Sequence, residues 1–394
     1  MESELITRAE GAEIPRRHFL RDVAAAATAA AVSSYATLNG RAALGCAAST
    51  PGYADAMDQA LEMMAGLAPL TNHGPMAAEA LVALGRADSV VAFVEAYKKR
   101  FTSNYPASRQ PVTRENWRAA LGDGARVADW TSFFNRELQE AAWPHVLGRW
   151  AAELAPGLSA AAAHGLIRTG HAVRSLSVKE TDLRRRELAE GLSYWAAYFQ
   201  RLPEAPNAGA VKIERFKPAQ AFQRIPTLPM DKRPPTGSIM IGLRNLNGFP
   251  PFAGAADLVE TGGQAAQFLS EVTETFATAY VKNVNQRNFV TLIHAVTSTT
   301  CLRSLLPYLS PGATQSILRY GWQMAAALYA ISASNSPNSL PAGAEIKRDD
   351  LIGRAVATQE EHAIKFTEAC LREYAINPKQ VYLWAARDAV ERLG

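Results

Sequence analysis

From residue 53 to about residue 201, apolar side chains recur at spacings of three and four. Ala, Leu, Met and Glu are frequent, and the alternation of a half-buried strand is missing. This pattern predicts helices over 53–66, 74–86, 88–101, 128–154, 158–174 and 178–201, with Pro144 kinking or breaking the fourth. Helical patterning returns over 264–283, 287–306, 311–333, 346–374 and 377–393. The last of these opens with Asn377 as a cap and Pro378 at the first helical position. Residues 202–263 are different in kind, because prolines from Pro203 to Pro251 and many glycines exclude regular helix. Short extended pieces are expected there at Val211–Phe216 and Ser238–Leu243. So long an irregular stretch reads as a wrap or lid over a helical core. The predicted fold class is mainly α: a single large α-helical domain with an irregular Pro/Gly-rich insert at about 202–263.

Composition narrows the function. Apolar residues make up 48% of the 394 and charged residues 20%, as in an ordinary globular protein. The net charge of +4 is small, and the basic residues are scattered, so a nucleic-acid partner is not expected. Cys46, Cys301 and Cys370 form no C-x-x-C pair, which speaks against a disulfide framework or a zinc knuckle. A single Cys301–Cys370 bridge stays open for an exported protein.

The N-terminus favours export. Pro15-Arg16-Arg17-His18-Phe19-Leu20-Arg21 resembles a twin-arginine signal, followed by an Ala-rich run from Val23 to Val32 and small residues through Ala48. The apolar run falls short of the roughly 20 residues a stable membrane span needs. Residues 1–48 are therefore expected to be a leader and 49–394 the helical domain. The alternative is an Ala-rich first helix of a cytoplasmic protein, and Arg41 near the cut site speaks for it.

Familiar catalytic signatures are missing from the sequence. No G-x-G-x-x-G follows a strand, and there is no P-loop, no H-E-x-x-H and no G-x-S-x-G. No histidine has Glu three residues before it, as a di-iron bundle needs. None has an acid two residues on, as facial-triad oxygenases often do.

Histidines remain. His294 shares a helix face with Val290, Thr297 and Cys301; His362 shares one with Ala355, Lys365, Phe366 and Ala369. His73 precedes the apolar face of Met76, Ala77, Ala80 and Leu84, and His164, Arg168 and His171 lie along one face of their helix. Four helices thus point an imidazole inward, and one metal ion is an efficient common partner for buried imidazoles. His164 and His171 are two turns apart, about 10.5 Å along the axis, so at most one of them binds a shared ion. His145, beside Trp143 and Trp150, reads as structural. Lys365 has two readings: a snorkelling lysine, or a buried amine of depressed pKa that takes up carbon dioxide and becomes an anionic oxygen ligand.

These residues carry a resemblance. Asn72-His73-Gly74-Pro75-Met76 leading to Leu84-Gly85, His164-Gly165-Leu166-Ile167-Arg168, Leu292-Ile293-His294-Ala295-Val296-Thr297 and Glu361-His362-Ala363-Ile364-Lys365-Phe366 resemble, in order, four motifs of the questin oxidase family. The likeness covers roughly residues 53–375. It implies an oxidoreductase acting with dioxygen on a polycyclic aromatic or quinone-type substrate, by ring cleavage or Baeyer–Villiger-like oxygen insertion, with NADPH as co-substrate in some members. It also implies iron, Fe(2+), held by His73, His164, His294, His362 and a carboxylated Lys365. An imidazole-rich set with one oxygen donor suits iron better than magnesium or calcium. Arg168 and His171 stand outside that ligand pattern and are expected to act catalytically by orienting a substrate oxygen. The rival reading is a zinc-binding helical protein, hydrolytic or non-catalytic.

Overall fold

A computed structural model describes residues 55–67, 72–100, 110–205, 214–234, 238–341 and 345–394. The leader, with its arginine pair and Cys46, lies outside the described residues. Thirteen helices frame the core. They are α1 (Asp55–Met63), α2 (Gly74–Ala83), α3 (Val90–Lys98), α4 (Val127–Glu140), α5 (Trp143–Leu154), α6 (His164–Val178) and α7 (Asp182–Ala197). After the insert come α8 (Ala265–Asn283), α9 (Phe289–Leu305), α10 (Pro311–Ala330), α11 (Arg348–Ala357), α12 (Glu361–Ile376) and α13 (Gln380–Leu393). The described residues contain no strand, only isolated bridges such as Phe216 with Val259, so the fold is mainly α as expected.

Local chemistry explains the helix starts. Thr181 caps α7 by accepting from the Arg184 N–H, and Ser310 caps α10 by accepting from the Ala313 N–H, with Pro311 next in line. The expected 128–154 helix is two helices, and Pro144 sits in the first turn of the second. The expected 346–374 helix is also two. Gln359 has a left-handed φ of 52°, and Glu360 then caps α12 through the His362 N–H. Asn377 and Pro378 fall in a turn, and α13 begins only at Gln380.

The 158–174 expectation needs a larger correction. Helix α6 begins at His164, preceded by Ala161, Ala162 and Ala163 at φ values of 46°, 60° and 71°. Left-handed backbone costs L-residues about 1–2 kcal/mol each. All three alanines are buried, and packing of Ala162 and Ala163 in the main core holds the turn in place.

Of the insert, Ser238–Leu243 is not extended: Ile239–Asn245 is a short helix, with Ser238 at the N-cap position but making no side-chain cap. The insert wraps mainly around α8 and α10. Pro218–Phe222 packs on α8, and the 3-10 segment Pro250–Asp257 packs on α10, where the Trp322 Nε1–H donates to the Ala255 carbonyl at 2.9 Å. Cys301 and Cys370 are both buried and no disulfide joins them, so the bridge left open by the sequence is not formed.

The centre is a closed circuit of four helices. α2 packs on α6, α6 on α9, α9 on α12, and α12 back on α2. The segment Phe289–Tyr308, which contains α9, is apolar and long enough to cross a membrane, but 94% of its apolar window is buried inside the fold. That is the environment of a core helix. Close approach in this region depends on glycine. A Cβ at Gly165 would lie 2.3 Å from the Trp195 Cα, and one at Gly191 would lie 2.8 Å from the Thr169 N, so α6 and α7 touch backbone to backbone.

Candidate metal centre

Each helix of the circuit contributes one histidine, and the imidazoles follow the same cyclic order as the helices. Ring centroids are 5.4 Å apart for His73–His164, 5.3 Å for His164–His294, 6.1 Å for His294–His362 and 5.1 Å for His362–His73. None is more than 2% exposed. The sequence patterns placed these residues on inward faces; the structure brings all four together.

Chain geometry explains why they meet. His73 is the N-cap of α2, with Pro75 in the first turn. His164 opens α6 directly after the left-handed alanine turn, and His362 is the second residue of α12. Three helix N-termini therefore converge on the ring, each carrying partial positive charge, which disfavours imidazolium and favours an anionic donor. His294 comes from the middle of α9.

Ring orientation is set by the neighbours. His164 Nδ1 lies against the Ala161 carbonyl, a contact the alanine turn creates. His362 Nδ1 lies 3.2 Å from Glu360 Oε2. An N–H at Nδ1 donating to these oxygens leaves Nε2 as the lone pair in both rings. Those Nε2 atoms, and both ring nitrogens of His294, are buried without a hydrogen-bond partner among the described residues. Bare buried polar atoms cost about 1–3 kcal/mol each, and a metal ion is a partner that fits several lone pairs at once. The donor set therefore fits a metal.

Lys365 is 1% exposed, and its Nζ lies 3.2 Å from His73 Nδ1. Burial, opposed by Glu361 and Glu360, lowers its pKa to about 7. Burial also drives His73 well below the ordinary histidine value, reinforced by Lys365; it does the same to His164 and His294, reinforced by His294 and His362 respectively. These three imidazoles are neutral at neutral pH.

Glu361 was not anticipated. It is fully buried, with Oε1 3.7 Å from His73 Nδ1 and Oε2 paired with Arg100 Nη2 at 2.6 Å. One ligand atom from each of His73, Glu361 and His362 falls within 4.8 Å of the others. A carboxylate therefore stands beside the imidazoles. Glu361 immediately precedes His362, outside the two- and three-residue spacings of the familiar histidine–carboxylate motifs.

Arg168 and His171 sit apart from the ring. Arg168 donates to Glu187 at 2.6 and 2.7 Å and to Glu190 at 2.5 Å, tying α6 to α7. His171 Nδ1 lies 2.5 Å from Glu79 Oε2, and its Nε2 is buried without a hydrogen-bond partner among the described residues. His145 is exposed at the start of α5.

Residues 70–220 match the family model described as Questin oxidase-like, which supports the resemblance and suggests an oxidoreductase. That span holds the His73 and His164 motifs; those of His294 and His362 lie beyond it. No curated protein matches the chain.

Proposed function

We propose that this questin oxidase-like chain holds iron among its four imidazoles and oxidises a polycyclic aromatic or quinone-type substrate with dioxygen. The observation that carries the reading is the ring of His73, His164, His294 and His362, in which ring nitrogens of His164, His294 and His362 are buried without a hydrogen-bond partner among the described residues. Bound iron would supply a dioxygen-binding, redox-active Lewis acid.

The chain's own residues prepare that site. The Ala161 carbonyl and Glu360 hold the Nδ1 protons of His164 and His362, which turns each Nε2 lone pair toward the centre. With a pKa near 7, much of Lys365 is a neutral amine at neutral pH. Its lone pair can add to carbon dioxide, and loss of one proton leaves an anionic carbamate. Glu361 is the competing oxygen donor, already a carboxylate and anchored by Arg100. Of the two residues expected to orient substrate, His171 is the better placed. Its Nδ1 is fixed on Glu79 and its Nε2 has no hydrogen-bond partner among the described residues, whereas Arg168 is committed to Glu187 and Glu190. Insertion of one oxygen atom would require two electrons from a reductant such as NADPH, and cleavage that keeps both atoms would not.

A zinc site, hydrolytic or non-catalytic, is the second reading. The proximity of His73, Glu361 and His362 favours it, because two imidazoles and a carboxylate are a common zinc set. Elemental analysis of protein purified without added metal, with its optical spectrum, separates the two. Roughly one iron per chain with charge-transfer bands supports the oxygenase; colourless zinc protein supports the rival. Failure of iron and zinc alike to bind the purified chain would end both readings.

A further inference from the structure

The insert, the start of α9 and the chain after α10 meet around a cavity of about 300 Å³, at the lower end of the small-molecule range. None of the four ring histidines lines it. Its walls come from three stretches far apart in sequence: the insert around Arg233, residues within 285–291, and residues 331–336. Hydrogen bonds hold that frame in place. Asn288 Nδ2 donates to the Asn283 carbonyl at 2.9 Å and to the Ser332 carbonyl at 2.8 Å, and the Ser334 N–H donates to Asn283 Oδ1 at 3.0 Å.

The charged residues of the lining are Arg233 and Arg287, with no acid among them, and neither makes an ion pair among the described residues. Arg287 is exposed, whereas Arg233 is half-buried and anchored. Its Nε donates to the Leu228 carbonyl at 2.7 Å and its Nη1 to the Ala333 carbonyl, which leaves Nη2 unpartnered among the described residues and open to solvent. Burial lowers the Arg233 pKa, and no carboxylate offsets it. The start of α9 is uncapped as well. Asn288 stands at the N-cap but spends its Oδ1 on the Asn285 N–H at 2.7 Å, outside the helix. The first-turn N–H groups thus have neither an intrahelical acceptor nor a side-chain cap, at the positive end of a 17-residue helix. Thr291 in that turn lines the cavity and is 4% exposed, and its Oγ1 has no hydrogen-bond partner among the described residues. That hydroxyl is not sealed from solvent, so a ligand in the cavity can reach it.

We propose that this cavity is a second ligand site, separate from the imidazole ring, which binds a small phosphate monoester. The phosphate oxygens accept from Arg233 Nη2, the Arg287 guanidinium, Thr291 Oγ1 and the first-turn N–H groups of α9. A phosphate monoester offers three terminal oxygens to these donors, and a carboxylate only two. Beyond the anion, Ser238, Asn335 and Ser336 line the cavity with hydroxyl and amide groups, which suit a hydroxylated body. The site requires no metal and stands whether or not iron binds at the ring.

Ribose 5-phosphate is the probe, with ribose, which lacks the anion, and acetate, which lacks the tetrahedral one, as comparators. Binding to the full chain is measured by calorimetry, with and without chelator. Ribose 5-phosphate should bind at least about tenfold tighter than either comparator, the worth of one charge-assisted hydrogen bond, and more weakly as salt is raised. Arg287→Ala should cost about tenfold, and Thr291→Val, which keeps the shape and removes the hydroxyl, about fivefold. Asn335→Glu sets an acid at an exposed position of the lining and should also weaken binding, whereas Asn335→Lys should strengthen it. Ribose or acetate binding as tightly as the phosphate, or affinity unmoved by both Arg287→Ala and Asn335→Glu, would overturn the proposal. Binding that vanishes in chelator would belong to a metal and would overturn it too. Arg287 and Asn335 are exposed, so the decisive variants leave the core intact even where Thr291→Val does not fold.

Discussion

Lys365 Nζ stands 3.2 Å from His73 Nδ1 across 292 positions of the chain, and Glu361 Oε1 lies 3.7 Å from the same nitrogen. Two side chains thus stand beside one imidazole, and under the proposed iron reading they are the rival oxygen donors. One needs carbon dioxide; the other needs nothing. If the lysine is the donor, Lys365→Met should weaken iron binding by more than about tenfold, and removal of bicarbonate should do the same to the wild type. Glu361→Gln should then retain most of the iron. Metal content that is indifferent to bicarbonate and lost in Glu361→Gln would transfer the role to the carboxylate.

His294 makes the sharper test of the centre itself, because neither of its ring nitrogens has a hydrogen-bond partner among the described residues. His294→Ala should lose metal loading. It should also lose the stabilisation that the ion gives, about 2.7 kcal/mol at a hundredfold excess over Kd. In chelator the variant and wild type should melt at closer temperatures than they do with metal. Full iron retention in His294→Ala would remove this histidine from the ligand set.

The periodic faces were enough to read the helical class and the inward direction of His73, His164, His294 and His362, because burial leaves a three-and-four spacing in the chain. What periodicity cannot carry is a break that keeps the apolar pattern. The alanines at 161–163 are good helix formers, yet tertiary packing holds them left-handed, and that turn alone sets His164 Nδ1 on the Ala161 carbonyl. Glu361 was illegible for another reason. Glu is usually solvated, and the Arg100 that pairs with it in the interior is far away in sequence. The commitment of Arg168 to Glu187 and Glu190 likewise depends on how α7 folds back, which face analysis of α6 alone does not reveal.

Backbone contact between α6 and α7 gives a prediction about scaffold, not chemistry. A Cβ at Gly191 would meet the Thr169 N at 2.8 Å and its Cα at 3.0 Å, and backbone atoms cannot swing aside. Gly191→Ala should cost about 1–3 kcal/mol in urea denaturation, with iron per folded chain unchanged. An unmoved urea midpoint would mean that the two helices have room to separate.

The pH dependence of the metal-free protein has a defined sign. Burial holds His73, His164, His171 and His294 well below the ordinary histidine value of 6.5, so the folded chain resists protons that the unfolded chain accepts near that value. Stability is therefore fully present above the unfolded value and is lost as pH falls below it, by at most about 1.4 kcal/mol per pH unit per group. Burial raises Glu79 and Glu187 instead, and these act in the opposite sense from their ordinary value of 4.5 upward, so a whole-protein slope would mix the two signs. A difference between proteins isolates one imidazole. In chelator, His294→Gln should lose about 1 kcal/mol less than the wild type between pH 7.0 and 5.5, because one proton-refusing group is gone. Denaturant midpoints measured across that window provide the check. Parallel curves would mean that His294 takes up its proton in the metal-free folded state, so that any metal bound there must displace it and its binding must weaken as pH falls.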